Sequence, residues 1–283
     1  MKKLLFLLSV SPLFLLAQPF TFQSKNTAKP IEFTLGWHNS GRGAYVLYKG
    51  KTEPITLQIR SFKTDTTQRA DHQPDEQQYV WDEVYKGQVT GTYGLTMMAH
   101  NIYDVFYIRK SDNKRFDFDF MEEKALDFDG EKMALLHGVQ LHYNITYNNT
   151  FQVKYPGKNA SFLLTALPDG EAYRYENIAD YNFDGYNDIA FSVPDAGYGV
   201  FRYFDIFLYN PVTKTFNPLL LPAHETLQCQ QFCNVVIDAK HKQLSSSCRG
   251  GAKWHTDLFS FDKKGGIIYL KSTEQSGTHV GGQ

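Results

Sequence analysis

Short runs of β-branched and aromatic residues, cut apart by polar turn clusters, recur along nearly the whole chain, and a sustained helical period is almost absent. The runs are "AYVLY", "ITLQIRSF", "QYVWDEVY", "GTYGLTM", "IYDVFYIR", "DIAFSV", "YFDIFLY", "NVVID" and "DLFSFD". Between them stand clusters such as "RKSDNKR", "NPVTKT" and "DKKGG", the chemistry that hairpins require. An all-β fold follows. Only "FMEEKALDFDGEKMALLHGV" has room for a short helix, and it marks the join between an N-terminal β region, 18–130, and a C-terminal one, 131–272. Residues 273–283 read as a flexible tail, and "TDTTQRADHQPDEQ" as a solvated loop. With 42% hydrophobic residues the chain can fill one large core or two small ones. The architecture is therefore expected to be an irregular β-propeller-like fold or two packed β units.

"YDVFYIRKSDNKRF", "FDIFLYNPVTKTF" and "TDLFSFDKKGGIIY" each run from an Asp through an aliphatic residue and Phe into a polar turn. Their aspartates, Asp104, Asp205 and Asp257, are spaced by about two units and one unit of roughly fifty residues, near a propeller-blade length. About five blades would fit the chain.

Lys2 and Lys3 precede "LLFLLSVSPLFLLA", an apolar run too short and too interrupted to span a bilayer, so residues 1–17 are read as a secretory signal peptide. Its removal takes two of 29 basic residues, against 30 acidic ones, and leaves a net charge of about −3. Neither a nucleic-acid nor an anionic-membrane partner is expected, and no later run is long enough for a membrane span. Export makes a disulfide among Cys229, Cys233 and Cys248 the expected state. A hairpin centred between Lys240 and His241 sets Cys233 opposite Cys248, the preferred pair; Cys229 with Cys233 is the competitor.

"DYNFDGYNDIA" concentrates side-chain oxygens in one loop. With Asp180 in first place, an EF-like Ca²⁺ loop would use Asp180, Asn182 and Asp184, the backbone carbonyl of Tyr186, and Asp188, with Gly185 making the tight turn. The closing Glu of an EF-hand is absent; Phe191 stands there and a strand follows. The other reading is an Asx-rich turn that needs no metal. A cation held by one continuous loop serves structure, and the element it would support is "SVPDAGYGVFRYF", where Tyr198 and Arg202 are the candidate partner-binding residues.

Signatures of catalysis are missing: no nucleophile elbow, metalloprotease helix, phosphate loop or redox dithiol is present. Adjacent carboxylates such as Asp82–Glu83 and Glu122–Glu123 point to opposite faces of a strand and read as solvated charges. Single histidines such as His100 and His137 read as satisfied surface or core residues. The protein is expected not to be an enzyme.

"ENIADYNFDGYNDIAF", "FDIFLYNPVTKTFNPL" and "SSSCRGGAKWHTDLFSF", within residues 170 to 271, resemble periplasmic immunity proteins that protect bacteria from peptidoglycan-cleaving effectors of killing type IV secretion systems. "KGQVTGTYGL" and "YDVFYIRKSDNKRFDF" are similar to the N-terminal β regions of such chains. The resemblance implies a propeller-like β fold with a calcium loop, a periplasmic location, and inhibition of a lysozyme-like enzyme by occlusion of its cleft. The alternative is a calcium-stabilised envelope module that binds carbohydrate or protein.

Overall fold

The structure, a computed structural model, describes residues 19–66, 74–99, 101–125, 128–168, 172–195, 201–251 and 253–276. The signal-peptide segment, Tyr198 and His100 lie outside them. The fold is all-β, and every one of the nine runs quoted above carries a strand.

Eight strands come first: β1 (Phe20–Ser24), β2 (Glu32–Gly36), β3 (Tyr45–Tyr48), β4 (Ile55–Asp65), β5 (Glu76–Tyr85), β6 (Gln88–Met98), β7 (Asn101–Arg109) and β8 (Arg115–Phe120). They form an antiparallel meander that closes into a barrel where β1 pairs with β8, Phe22 opposite Phe120. Alternation puts Phe22, Phe33, Trp37, Trp81 and Tyr93 inside, and these rings fill the interior. Bulges in β4, β6 and β7 supply the coiling that closure needs. At Gly91 and Gly94 a Cβ would collide with the rings of Tyr107 and Phe106, so β7 lays its aromatics across a bare stretch of β6. This barrel corrects the expectation of about five blades: the first eight strands close on one another, and Asp104 belongs to β7 of the barrel.

A four-residue helix, α1 (Glu122–Ala125), follows, and within the supposed helical stretch Glu131–Leu136 is strand. Three four-stranded antiparallel meanders come next. The first is β9 (Glu131–Leu136), β10 (Val139–Asn144), β11 (Thr150–Tyr155) and β12 (Lys158–Leu163). The second is β13 (Tyr175–Ala179), β14 (Asp188–Pro194), β15 (Arg202–Asn210) and β16 (Thr215–Pro218). The third is β17 (Val236–Asp238), β18 (Gln243–Gly250), β19 (Lys253–Phe261) and β20 (Ile267–Ser276). β20 stays paired with β19 through Thr273–Ser276, so strand continues into the segment read as a tail. The middle sheet is covered on both faces. Ile189 and Phe191 of β14 pack with Leu141, Phe151 and Phe207, while Ala190 faces the opposite way into a core with Ile206, Leu244 and Phe259. That double burial is why "DIAFSV" is apolar almost throughout.

Asp205 and Asp257 occupy matching places in the third strands of the second and third sheets. Each carboxylate grips the segment that enters its sheet. Asp205 accepts from the Thr165 N–H at 2.7 Å and from its hydroxyl at 3.0 Å; Asp257 accepts from Cys229 N at 2.8 Å and Gln228 N at 3.2 Å. The repeat of about fifty residues is thus a repeat of clamps.

Barrel and sheets meet at His38–Gly43. His38 Nε2 donates to the Met133 carbonyl at 3.0 Å, its Nδ1 lies 3.1 Å from Glu176 Oε1, and Lys132 Nζ donates to that same oxygen at 2.6 Å. Arg42 and Asn39 donate to the Ile178 carbonyl.

Neither expected cysteine pairing forms: the disulfide joins Cys229 to Cys248, and Cys233 is a buried free thiol. The hairpin register is the expected one, with Asp238 opposite Gln243 and Val236 opposite Ser245. It stops there, because Asn234 takes a left-handed backbone (φ 40°) and the chain slips. The Cys233 carbonyl then accepts from Ser247 N, and Cys233 N donates to Ser246 Oγ. One residue of slip turns a side chain to the other face, so Cys233 misses Cys248. Cys229 takes the place, drawn in by the Asp257 clamp.

Candidate functional site

The loop from Asp180 to Asp188 joins β13 to β14. Asp180 accepts from Asp184 N (3.1 Å) and Gly185 N (2.8 Å), Asn182 Oδ1 from Asp184 N (3.3 Å), and Asp184 from Tyr186 N (2.9 Å). Phe183 has φ +63° and Gly185 φ +91°, so the chain turns twice through the left-handed region; only the turn at Gly185 was legible in the sequence. Asp188 is wholly buried, and its two oxygens accept from Tyr181 N at 2.8 Å and Tyr209 N at 2.7 Å. Burial first, then the charges of Asp184 and Asp180, push its carboxyl up to about 7 against the pull of those two N–H groups.

The loop holds Asp180, Asn182, Asp184 and Tyr186 in the hydrogen bonding of an Asx-rich turn, while the Asp188 carboxylate is turned inward at the start of β14. Among the described residues, no three His, Cys, Asp or Glu groups stand together as a metal-holding set. The donor chemistry nevertheless suits a hard cation: all donors are oxygens, and a carboxylate oxygen that accepts one N–H keeps a second lone pair.

Around the loop stands a wall that sequence reading missed. His137 stacks on Tyr209 at 4.0 Å between ring centroids and its Nε2 donates to the Asn187 carbonyl at 2.8 Å. Beyond lies a cleft of about 850 Å³, built where the turns of the second and third sheets come together. Asn182, Phe183, Asp184 and Tyr186 form one side; Tyr209–Val212 and Asn217–Leu220 form another; Lys242 and the Phe261–Ile267 turn complete it.

Arg202 sits at the far end of the sheet. It pairs with Pro194, whereas the loop adjoins Asp188 at the start of β14. Its Nε donates to Ser192 Oγ and its Nη2 to the carbonyls of Ser192 and Tyr173. The guanidinium lies over the Tyr175 ring, 4.3 Å from its centroid, and Tyr175 and Tyr173 are 60% and 44% exposed. The structure thus separates the Asp180–Asp188 loop from Arg202 by the length of β14.

No protein-family model and no curated protein matches the chain. Among solved structures it is similar to a chain named "putative 6-phosphogluconolactonase" from Bacteroides uniformis, with 7% identity and a TM-score of 0.31 over 92% of this chain and 84% of that one. A second, of the same description from Bacteroides fragilis, shares 11% identity at a TM-score of 0.29 over 91% of this chain and 96% of that one.

Proposed function

We propose that this is an exported, periplasmic protein, itself without catalytic activity, that inhibits a lysozyme-like peptidoglycan-degrading enzyme by occupying its cleft. The observation that supports this reading is the Arg202–Tyr175–Tyr173 cluster. Tyr and Arg are the residue types that anchor protein interfaces, and here an arginine is held by three hydrogen bonds beside exposed rings. A lysozyme-like cleft carries two carboxylates, and a donor already fixed in place meets them with little further loss of side-chain freedom. Tyr198, in the connection just before Arg202, is the second proposed contact.

A bound Ca²⁺ belongs to the same proposal. Asp180, Asn182, Asp184, Asp188 and the Tyr186 carbonyl would hold it, and it would supply neutralising charge and rigidity to the loop. The effect would reach Arg202 through β14, whose Ser192 holds the guanidinium four residues beyond Asp188.

The test is turbidity clearance of purified peptidoglycan by lysozyme-like enzymes encoded beside this gene, with and without the protein. A near-equimolar block, with no clearance by the protein alone, is the expected outcome. Hydrolysis by the protein itself, or the failure of every such enzyme to be bound or slowed, overturns the reading. A second reading, a calcium-stabilised envelope module that binds carbohydrate or protein, is favoured by the cleft beside the loop.

A further inference from the structure

We infer that the cleft between the second and third sheets binds an acidic saccharide: a short run of sugar rings bearing carboxylates. The inference deepens the envelope-module reading and stands apart from enzyme inhibition.

Three observations carry it. The volume, about 850 Å³, suits a few linked sugar rings rather than a single small metabolite. The lining mixes aromatic rings with amides: Phe183, Tyr186 and Phe261 beside Asn210 and Asn217. Aromatic faces take up the C–H side of a pyranose, and an Asn amide offers both a donor and an acceptor to neighbouring hydroxyls. Val212 and Leu220 stand 89% and 72% exposed at the lip, where they would meet methyl groups such as those of N-acetyl substituents.

Charge decides which saccharide. Lys242, Lys263 and Lys264 line the cleft, and none forms a salt bridge to a carboxylate among the described residues. The two acidic residues of the lining are turned to groups of their own loops. Asp262 Oδ1 accepts from Lys264 N and Gly266 N, and Asp184 accepts from Tyr186 N and from the Asn182 amide. Three lysines against two carboxylates that serve their own turns give the lining an excess of positive charge, which favours an anionic guest over a neutral or cationic one.

The experiment is isothermal titration of the full protein in Ca²⁺-containing buffer with two tetrasaccharides. One alternates N-acetylglucosamine with N-acetylmuramic acid; the other is the neutral tetramer of N-acetylglucosamine. The acidic probe is expected to bind at least about tenfold more tightly, and its affinity should fall with added NaCl. Lys263→Ala with Lys264→Ala should bring the acidic probe down to the affinity of the neutral one without moving the melting temperature, since both side chains are exposed. Tyr186→Ala should weaken both probes, and Lys253→Ala, outside the cleft, neither. Absence of binding to either probe, equal affinity for both, an unaffected lysine variant, or equal competition by polyglutamate would overturn the inference. None of these results depends on whether a hydrolase is inhibited.

Discussion

Asp188 shows how much one buried carboxylate can organise. It ties the β13–β14 loop and the β15 backbone together through Tyr181 N and Tyr209 N. Asp188→Asn would set an amide N–H against one of those donors, and denaturant unfolding should show a loss of about 1–3 kcal/mol. For the neighbouring oxygens the expected effect is metal-linked. With free Ca²⁺ a hundredfold above its Kd, the melting curve should rise by the equivalent of about 2.7 kcal/mol, and Asp184→Ala should erase most of that gain. A curve indifferent to Ca²⁺ and to chelator would remove the cation from the proposal. The cysteines offer a covalent test. Non-reducing peptide mapping should recover Cys229 linked to Cys248. Burial pushes the Cys233 thiol up to about 12, so it should resist alkylation in the native protein. The loop's composition was legible because ligand-type residues at fixed offsets are a local pattern. The disulfide was not, because nothing local forces Asn234 into the left-handed turn that shifts the register, and the clamp on Cys229 comes from Asp257, 28 residues further on. Glu83 was misread for the same reason. It reads as a solvated charge, yet it is buried in the barrel, accepting from Thr90 Oγ1 at 2.6 Å and the Tyr107 hydroxyl at 3.0 Å, while Asp82 faces outward to Arg60.

Among elements, the join of the β2–β3 connection with β9 and β13 carries the clearest pH dependence. Burial alone would raise the Glu176 carboxyl; His38 and Lys132 overcome that and hold it at about 2. A folded value below the unfolded one contributes stability fully above about pH 4.3, lost as pH falls toward 2. His142 on β10 adds a second window. Burial, then the charge of Lys154, brings its imidazole down to about 4, so the fold favours the neutral ring and stability declines as pH drops from about 6.5 toward 4. Urea midpoints should fall through both windows on acidification. Glu176→Gln should flatten the lower window and cost about 3 kcal/mol at neutral pH, because Lys132, with its side chain only 17% exposed, loses its ion-pair partner. A variant whose midpoints track the parent at every pH would refute that role. Strand identity was legible wherever one face is wet. It was obscured at β9 and β10, where "EKMALLHGV" carries enough apolar residues in sequence to imitate a helix.

Across the whole molecule, a local pattern of strands and turns does not say which strands close on which. β1 meets β8 across roughly a hundred residues, and that pairing turns eight strands into a barrel instead of two blades. Asp205 and Asp257 were visible as a repeat, but their shared task appears only once the incoming segments are in place. The His38–Glu176 contacts and the bond from Leu135 N to Gly43 O hold the barrel to the first two sheets. Replacing His38 and Asn39 together with Ala should therefore split a single calorimetric transition into two, one for the barrel and one for the sheets; a single undivided transition would show that packing alone couples them. β14 has a further consequence. The six strand steps from Asp188 to Pro194, the partner of Arg202, set the two ends about 20 Å apart. A guest in the cleft and a macromolecule on the tyrosines would thus not compete for space. Anchored by one end to an immobile cell-wall polymer, the protein would meet an enzyme working along that polymer at a local concentration set by the length of the tether and not by its abundance in the compartment.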